Sequence, residues 1–212
     1  MVGMSIGRLG KRPAEPLVLY EFESCPFCRK VREALCVLDL DVLVYPCPKG
    51  GERFRPVVVE QGGRAQFPYL VDPNTGKALF ESDDIVRYLF ATYGDGDVPL
   101  LLSSTIATPT SVLAGLWRPL GGTFSRPSTE PALPLELYSF EASPFCRIAR
   151  EALCVFEIPY RLHNVARGST RRAALEERAG KVMVPYLVDP NTGREMFESA
   201  DIAHYLEQTY AA

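Results

Sequence analysis

The chain has 212 residues, a net charge of −3, 47% hydrophobic residues and six cysteines. That size supports one large core or two small ones. The small negative charge and the absence of a long Lys/Arg block argue against broad electrostatic binding of nucleic acid.

Residues 1–16 contain no apolar run of the signal-peptide kind and read as an N-terminal extension. Leu17 to Phe22 alternates and is rich enough in β-branched and aromatic residues for a strand. Cys25-Pro26-Phe27-Cys28 then opens a helix, with Pro26 where a first-turn proline is tolerated. Phe27, Val31, Ala34, Leu35 and Leu38 recur at helical spacing. Asp41 to Tyr45 predicts a second strand, parallel to the first, and Phe54 to Gln61 a weaker helix. Pro68 to Val71 predicts a short strand, Asp72 to Gly76 a turn, and Lys77 to Phe80 the returning strand. Ser82 is a good N-cap for a last helix, with Asp83 and Asp84 in its first turn.

The pattern then repeats. LVLYEFESCPFCRKVREALCVL at 17–38 returns as LELYSFEASPFCRIAREALCVF at 135–156. PYLVDPNTG at 68–76 returns unchanged at 185–193, and Phe80-Glu81-Ser82 returns as Phe197-Glu198-Ser199. A repeat of this length sets the architecture. It predicts an α/β chain of two tandem βαβ-ββα modules, 17–93 and 135–212, joined by a connector at 94–134. Within the connector, Val98 to Trp117 carries no charge and is long enough to span a bilayer. Its two prolines and several Ser and Thr favour a short helix packed between the modules, with Trp117 anchoring it, so no membrane span is expected.

A strand, a CPFC helix start, a proline opening the third strand and a Glu-Ser helix start, in that order and twice, resemble the thioredoxin superfamily. The glutaredoxin and glutathione-transferase N-terminal branch fits best. The tandem form resembles the double-domain "thioredoxin family" proteins of plant and algal plastids, which implies a chloroplast location. True glutathione transferases add a large all-helical domain, and no such segment is visible here. That argues against conjugation of bulky electrophiles.

Cys25 is the expected nucleophile. The thiolate is the reactive form, and a helix N-terminus offers unpaired N–H groups and a positive dipole end. The dipole, worth about 0.3–1 kcal/mol, falls short of a two-unit pKa drop, so N–H···S bonds must add to it. Arg29 lies one turn on. Cys28 is the expected resolving thiol, or a spectator where glutathione resolves the mixed disulfide. The alternatives are inert thiols or half of a zinc site with Cys47, and no metal is expected. In the second module Ser143 replaces Cys25, and Cys146 replaces Cys28, so dithiol chemistry is lost there.

The resemblance implies further site residues. Pro68 and Pro185 would follow cis bonds, letting Phe67 and Val184 pair with the cysteinyl part of glutathione. Glu81-Ser82 and Glu198-Ser199 would take the γ-glutamyl end. Lys49 and Arg64 are candidates for the glycyl carboxylate, with Arg167 and Lys181 as counterparts. A proline directly after the active cysteine matches the redox-active glutaredoxins better than the class that shares an iron–sulfur cluster through glutathione. Cys36 and Cys154 read as buried hydrophobes, and Cys47 has no assignment. His163 and His204 form no catalytic pair.

Together these imply a glutathione-linked thiol–disulfide oxidoreductase in a reducing compartment. Glutathione would be its cosubstrate, and protein disulfides or glutathionylated proteins its partners. A non-catalytic glutathione-binding or docking scaffold is the alternative, and a glutathione transferase in the narrow sense a third.

Overall fold

In the computed structural model, residues 4–102 and 121–212 are described. The first repeat folds as β1 (Leu17–Glu21), α1 (Pro26–Val37), β2 (Val42–Pro46), α2 (Arg55–Gly62), β3 (Tyr69–Asp72), β4 (Lys77–Leu79) and α3 (Ser82–Tyr93). The second repeats it as β5 (Leu135–Ser139), α4 (Pro144–Val155), β6 (Tyr160–Asn164), α5 (Arg171–Ala179), β7 (Tyr186–Asp189), β8 (Arg194–Met196) and α6 (Ser199–Tyr210). β1 and β2 are parallel, as are β5 and β6. No separate all-helical unit occurs among the described residues.

The two modules share a single eight-stranded sheet, ordered β4-β3-β1-β2-β6-β5-β7-β8. The seam is antiparallel β2–β6, with Leu43 opposite Arg161 and Val42 and Val44 opposite Leu162 and Tyr160. Leu17 corresponds to Leu135 in the repeat. At that spacing Leu43 faces its own counterpart, so the modules are related by a pseudo-two-fold axis through this pair.

Successive strand residues point to opposite faces. Leu17 and Leu19 enter one core with α1, α3, α4 and α6, and that core runs unbroken through both modules. Tyr20, with the partly buried Val18, packs instead beneath α2 with Phe54, Val58 and Tyr69. Leu175, Tyr186 and Val188 form the matching cluster under α5.

The repeat begins before Leu17. Lys49 N–H donates to Thr123 and Ser125 N–H to Lys49 O, while Arg167 N–H donates to Met4 and Ile6 N–H to Arg167 O. Each module's lead-in therefore straps the other module. The straps then return to their own modules, where Asn74 holds Ala14 and Glu15 and Asn191 holds Leu133. Pro13-Ala14-Glu15-Pro16 and Pro131-Ala132-Leu133-Pro134 carry this in the sequence. Residues 121–134 thus belong to the second module's strap. The remainder of the charge-free stretch, with Trp117, lies outside the described residues. No helix among the described residues is long and apolar enough to cross a membrane.

Candidate functional site

The β1–α1 turn places Cys25 at the N-cap of α1, in extended backbone (φ −76°, ψ 119°), with Pro26 in the first turn. Cys25 N–H donates to Phe22 O at 3.1 Å, which closes the turn. The sulfur accepts the Cys28 N–H at 3.3 Å, one of the donors that a helix start leaves unpaired. Phe27, expected on the apolar face, is instead 48% exposed, as is its counterpart Phe145 at 61%.

These contacts make Cys25 acidic. The Cys28 thiol, hydrogen-bonded to it, contributes most, then the N–H groups of Cys28 and Phe27 and the charge of Arg32. Together they outweigh burial and bring its pKa down to about 7. Burial, the thiol–thiol bond and nearby negative charge push Cys28 up. The charge on Arg32, two turns into α1, adds to the lowering of Cys25.

Arg32 belongs to a buried cluster shared by both modules. It pairs with Glu21 of β1, with Glu23 at 3.2 Å and with Glu141 of the second module at 2.9 Å. Its counterpart Arg150 holds Glu23 of the first module through two donors, at 3.0 and 3.1 Å, and Ser139 at 3.1 Å. Both guanidiniums are 1% exposed. Three carboxylates thus face two cations. Burial raises Glu21 to about 7 despite Arg32. Burial also opposes ionisation of Glu141, but Arg150 and Arg32 prevail and hold its carboxyl low.

Further cross-links flank the seam. Arg171 reaches Asp39 and Asp41, and its counterpart Arg53 reaches Phe156 O and Glu157 O. Glu157 accepts from Glu52 and Arg53 N–H at 3.2 Å. Gly51 leaves it room, since a Cβ there would sit 2.5 Å from the Glu157 carboxylate. His163 bridges Asp41 and Glu136.

Phe67–Pro68 and Val184–Pro185 are both cis. Phe67 meets Phe22, the residue that caps Cys25, with ring centroids 6.1 Å apart. Glu81 and Glu198 stand at φ 63° and 64° ahead of buried Ser82 and Ser199. Each Glu occupies the N-cap without a side-chain cap bond, so Ser82 opens the helix one position inside the cap predicted for it. Gln66 donates to Glu81 at 2.6 Å.

The candidate cations separate. Arg64 lies over the Phe80 ring and 3.6 Å from Glu81, and Lys181 lies over Phe197. Lys49 and Arg167 carry the strap bridges through their backbones. Arg55, absent from the sequence reading, lies over the Phe67 ring at 4.8 Å.

In the second module Ser143 copies the cap, accepting from Cys146 N–H at 3.2 Å, without a thiol at that position. All six cysteines are free and buried. Cys36 is raised to about 12 by burial, and burial raises Cys47 and Cys154 as well. Among the described residues no group of three or more His, Cys, Asp or Glu is placed to hold a metal ion.

The family model described as the glutathione S-transferase N-terminal domain matches this chain twice, over residues 19–97 and 137–212. The chain belongs to that family. It is a glutathione-related protein built from two glutathione S-transferase N-terminal modules.

Similar solved structures include the glutathione transferase BmGSTD1 of Bombyx mori, 30% identical over 40% of this chain and 38% of that one, with TM-score 0.36. A delta-class glutathione transferase of Nilaparvata lugens is 24% identical over 50% and 47%, with TM-score 0.34. Leishmania TDR1, a trimeric glutathione transferase, is 13% identical over 94% and 68%, with TM-score 0.33. The chain spans well under half the length of the first of these. No curated protein matches it.

The sequence pointed to the S-transferase N-terminal modules through their repeated motifs. It did not point to Arg32, Glu23, Glu141 and Arg150 as a joint cluster. The only signal was a Glu and an Arg retained at matching positions of both copies.

Proposed function

We propose that this chain is a glutathione-linked thiol–disulfide oxidoreductase acting through Cys25. The observation that carries the reading is the Cys25 sulfur at the N-cap of α1, hydrogen-bonded by the Cys28 N–H and brought to about 7. A sulfur of that acidity is about half thiolate at neutral pH and attacks a disulfide sulfur. Cys28, in hydrogen-bond contact and held protonated, is the resolving thiol once Cys25 carries the mixed disulfide.

Glutathione would lie along Phe67, Pro68, Glu81 and Ser82. Phe67 supplies backbone groups, the start of α3 and Ser82 receive the γ-glutamyl carboxylate, and Glu81 takes the ammonium group. Arg55, beside Phe67, joins Lys49 and Arg64 as a candidate for the glycyl carboxylate. Glutathionylated proteins and protein disulfides are the proposed substrates. A plastid location belongs to the same proposal, and a fluorescent fusion of the complete coding sequence tests it.

The second module keeps the cis-proline and Glu-Ser features but has Ser143 at the nucleophile position. A serine with no neighbouring base has no reason to attack. Its role is binding or structural. In a glutathione-coupled mixed-disulfide assay, Cys25→Ser abolishes turnover and Ser143→Ala leaves it intact. Equal turnover in wild type and Cys25→Ser would remove the oxidoreductase reading and favour a docking scaffold.

A further inference from the structure

Glu23 and Ser24, the two residues ahead of Cys25, are held from the other module. Arg150 of α4 clamps the Glu23 carboxylate at 3.0 and 3.1 Å. Cys154, one turn further along α4, accepts the Glu23 N–H on its sulfur at 3.4 Å and donates its S–H to Gly122 O at 3.2 Å. Expected from the sequence to be a buried hydrophobe, Cys154 thus has a polar task as well. Thr123 of the second lead-in donates its hydroxyl to Ser24 Oγ at 2.7 Å. Glu23, Thr123 and Cys154 are all buried. Gly122, at φ 69°, lies against the turn, where a Cβ would meet Glu23 Cβ at 2.8 Å.

The matching turn of the second module shows which contact is particular to Cys25. Glu141 is the counterpart of Glu23, and Arg32 reaches it as Arg150 reaches Glu23. These clamps follow from the pseudo-symmetry and serve both turns. The hydroxyl bond does not. Ala142 stands where Ser24 does, and Met4 takes the place of Thr123 in the matching strap. Neither side chain has an O–H, so the extra bond belongs to the module with a cysteine at its helix start. A loop backbone lacks the ladder of a strand or helix, so contacts of this kind set its course. Cys25 follows directly, and its sulfur is held 3.3 Å from the Cys28 nitrogen. A displacement of about 1 Å at a reacting atom can cost about 100-fold in rate.

We propose that Thr123, Cys154 and Arg150 are positioning residues for Cys25, and that the second module, which has no nucleophile, belongs to the active site because it fixes the Glu23-Ser24 turn. The three act through the turn rather than on the sulfur. Once the turn is released, the sulfur drifts off the Cys28 N–H and its thiolate loses a stabilising donor. The chain is then one catalytic unit, not a working module with a spare copy. The catalytic half of this statement rests on the function proposed above; the placing of the sulfur does not.

The test uses the full chain and two readouts: the pH midpoint of Cys25 alkylation, and kcat and KM in the glutathione-coupled mixed-disulfide assay. Thr123→Val keeps the shape and removes the hydroxyl. Its midpoint should rise by about half a unit and its kcat fall about 10-fold, with KM for glutathione within about two-fold of wild type. Ser24→Ala should do the same, and the double variant no more than either, since both break one bond. Cys154→Ala should move both readouts the same way, and Cys154→Ser, which keeps a donor and an acceptor, should restore most of the loss. Lower unfolding stability with unchanged midpoint and kcat overturns the proposal, because the contacts would then be structural only. Additive effects of Thr123→Val and Ser24→Ala overturn it too. Ser24→Ala copies Ala142, which the fold already accepts, so the hydroxyl bond remains testable even where a Cys154 variant fails to fold. Full turnover in Cys25→Ser strikes the oxidoreductase reading instead, and the alkylation midpoints still decide whether the second module places the sulfur.

Discussion

Leu43 of the first module lies directly opposite Arg161, its own counterpart in the second. One residue pair thus marks the axis about which two copies of one motif join into a single sheet. Around it, Arg32 and Arg150 reach across to Glu141 and Glu23. The continuous core and these buried pairs make the two modules one mechanical unit.

Such a chain should unfold in one cooperative transition, with calorimetric and van't Hoff enthalpies equal. Arg150→Ala leaves Glu23 buried with Arg32 as its remaining cation. The expected loss is about 3–5 kcal/mol by urea unfolding. Two separated transitions in the wild type would contradict the joint core.

Cys25 should alkylate with a pH midpoint of about 7. In Cys28→Ala the thiol donor is gone and the backbone N–H stays. The midpoint should rise toward the ordinary thiol range, because the thiolate loses its largest stabilising contact. An unchanged midpoint would shift the acidity onto the helix start and Arg32.

Glu21 makes stability depend on pH. Its carboxyl is raised from 4.5 to about 7, mainly by burial. Between those values the folded chain holds a proton that the unfolded chain has released. This contribution is complete below pH 4.5 and is lost as pH rises to 7, about 3 kcal/mol at most. Glu21→Gln should flatten the urea-unfolding stability across pH 5 to 8. A slope equal to the wild type's would place the proton elsewhere in the cluster.

The copies contain a natural double substitution. Lys30, 1% exposed, pairs with Asp83 at the start of α3, while the second module has Ile148 and Ala200 there. Asp83→Ala strands a buried ammonium and should cost about 3 kcal/mol. Adding Lys30→Ile should recover most of that loss, because the apolar pair needs no partner. Additive losses in the double-mutant cycle would show that the two side chains are not coupled.

The repeated DPNTG turn has a structural role. Asp72, fully buried, accepts from Tyr88, Tyr93 at 2.6 Å and Asn74 at 2.9 Å. Burial works against its charge, but these donors hold its carboxyl below the usual range. Tyr93→Phe removes one donor and should cost about 1–2 kcal/mol by thermal unfolding. Tyr210→Phe should act alike on Asp189, which has the same partners. Loss in one module only would break the symmetry of the two networks.

The order of elements was legible because each is written in local chemistry: alternation in Leu17 to Phe22, proline after the cap in Cys25-Pro26, a turn in Asp72 to Gly76. Cys25 and Cys28 were legible for the same reason, since the helix start that holds them is local; the cis-proline pairs came from the family resemblance, because Phe67 meets Phe22 from a distant part of the chain. The helix cap was misplaced by one residue, because Glu81 takes positive φ, which side-chain preferences disfavour. Lys49 and Arg64 were matched by charge alone; the fold adds a backbone strap at Lys49 and a contact of Arg64 with the Phe80 ring.

Two copies of one βαβ-ββα unit, and a cysteine at the start of the first crossover helix, are readable from the residue order alone. Hydrophobic period, turn chemistry and capping act within a few residues, and internal repetition needs no coordinates to be seen. The joining of the copies through β2 and β6 is visible in the folded chain alone. So is the burial of Arg32 and Arg150 between them, and the placing of Arg147 beside Cys25. Those facts depend on edge-strand pairing and on burial of charges from distant parts of the chain, which no local pattern encodes.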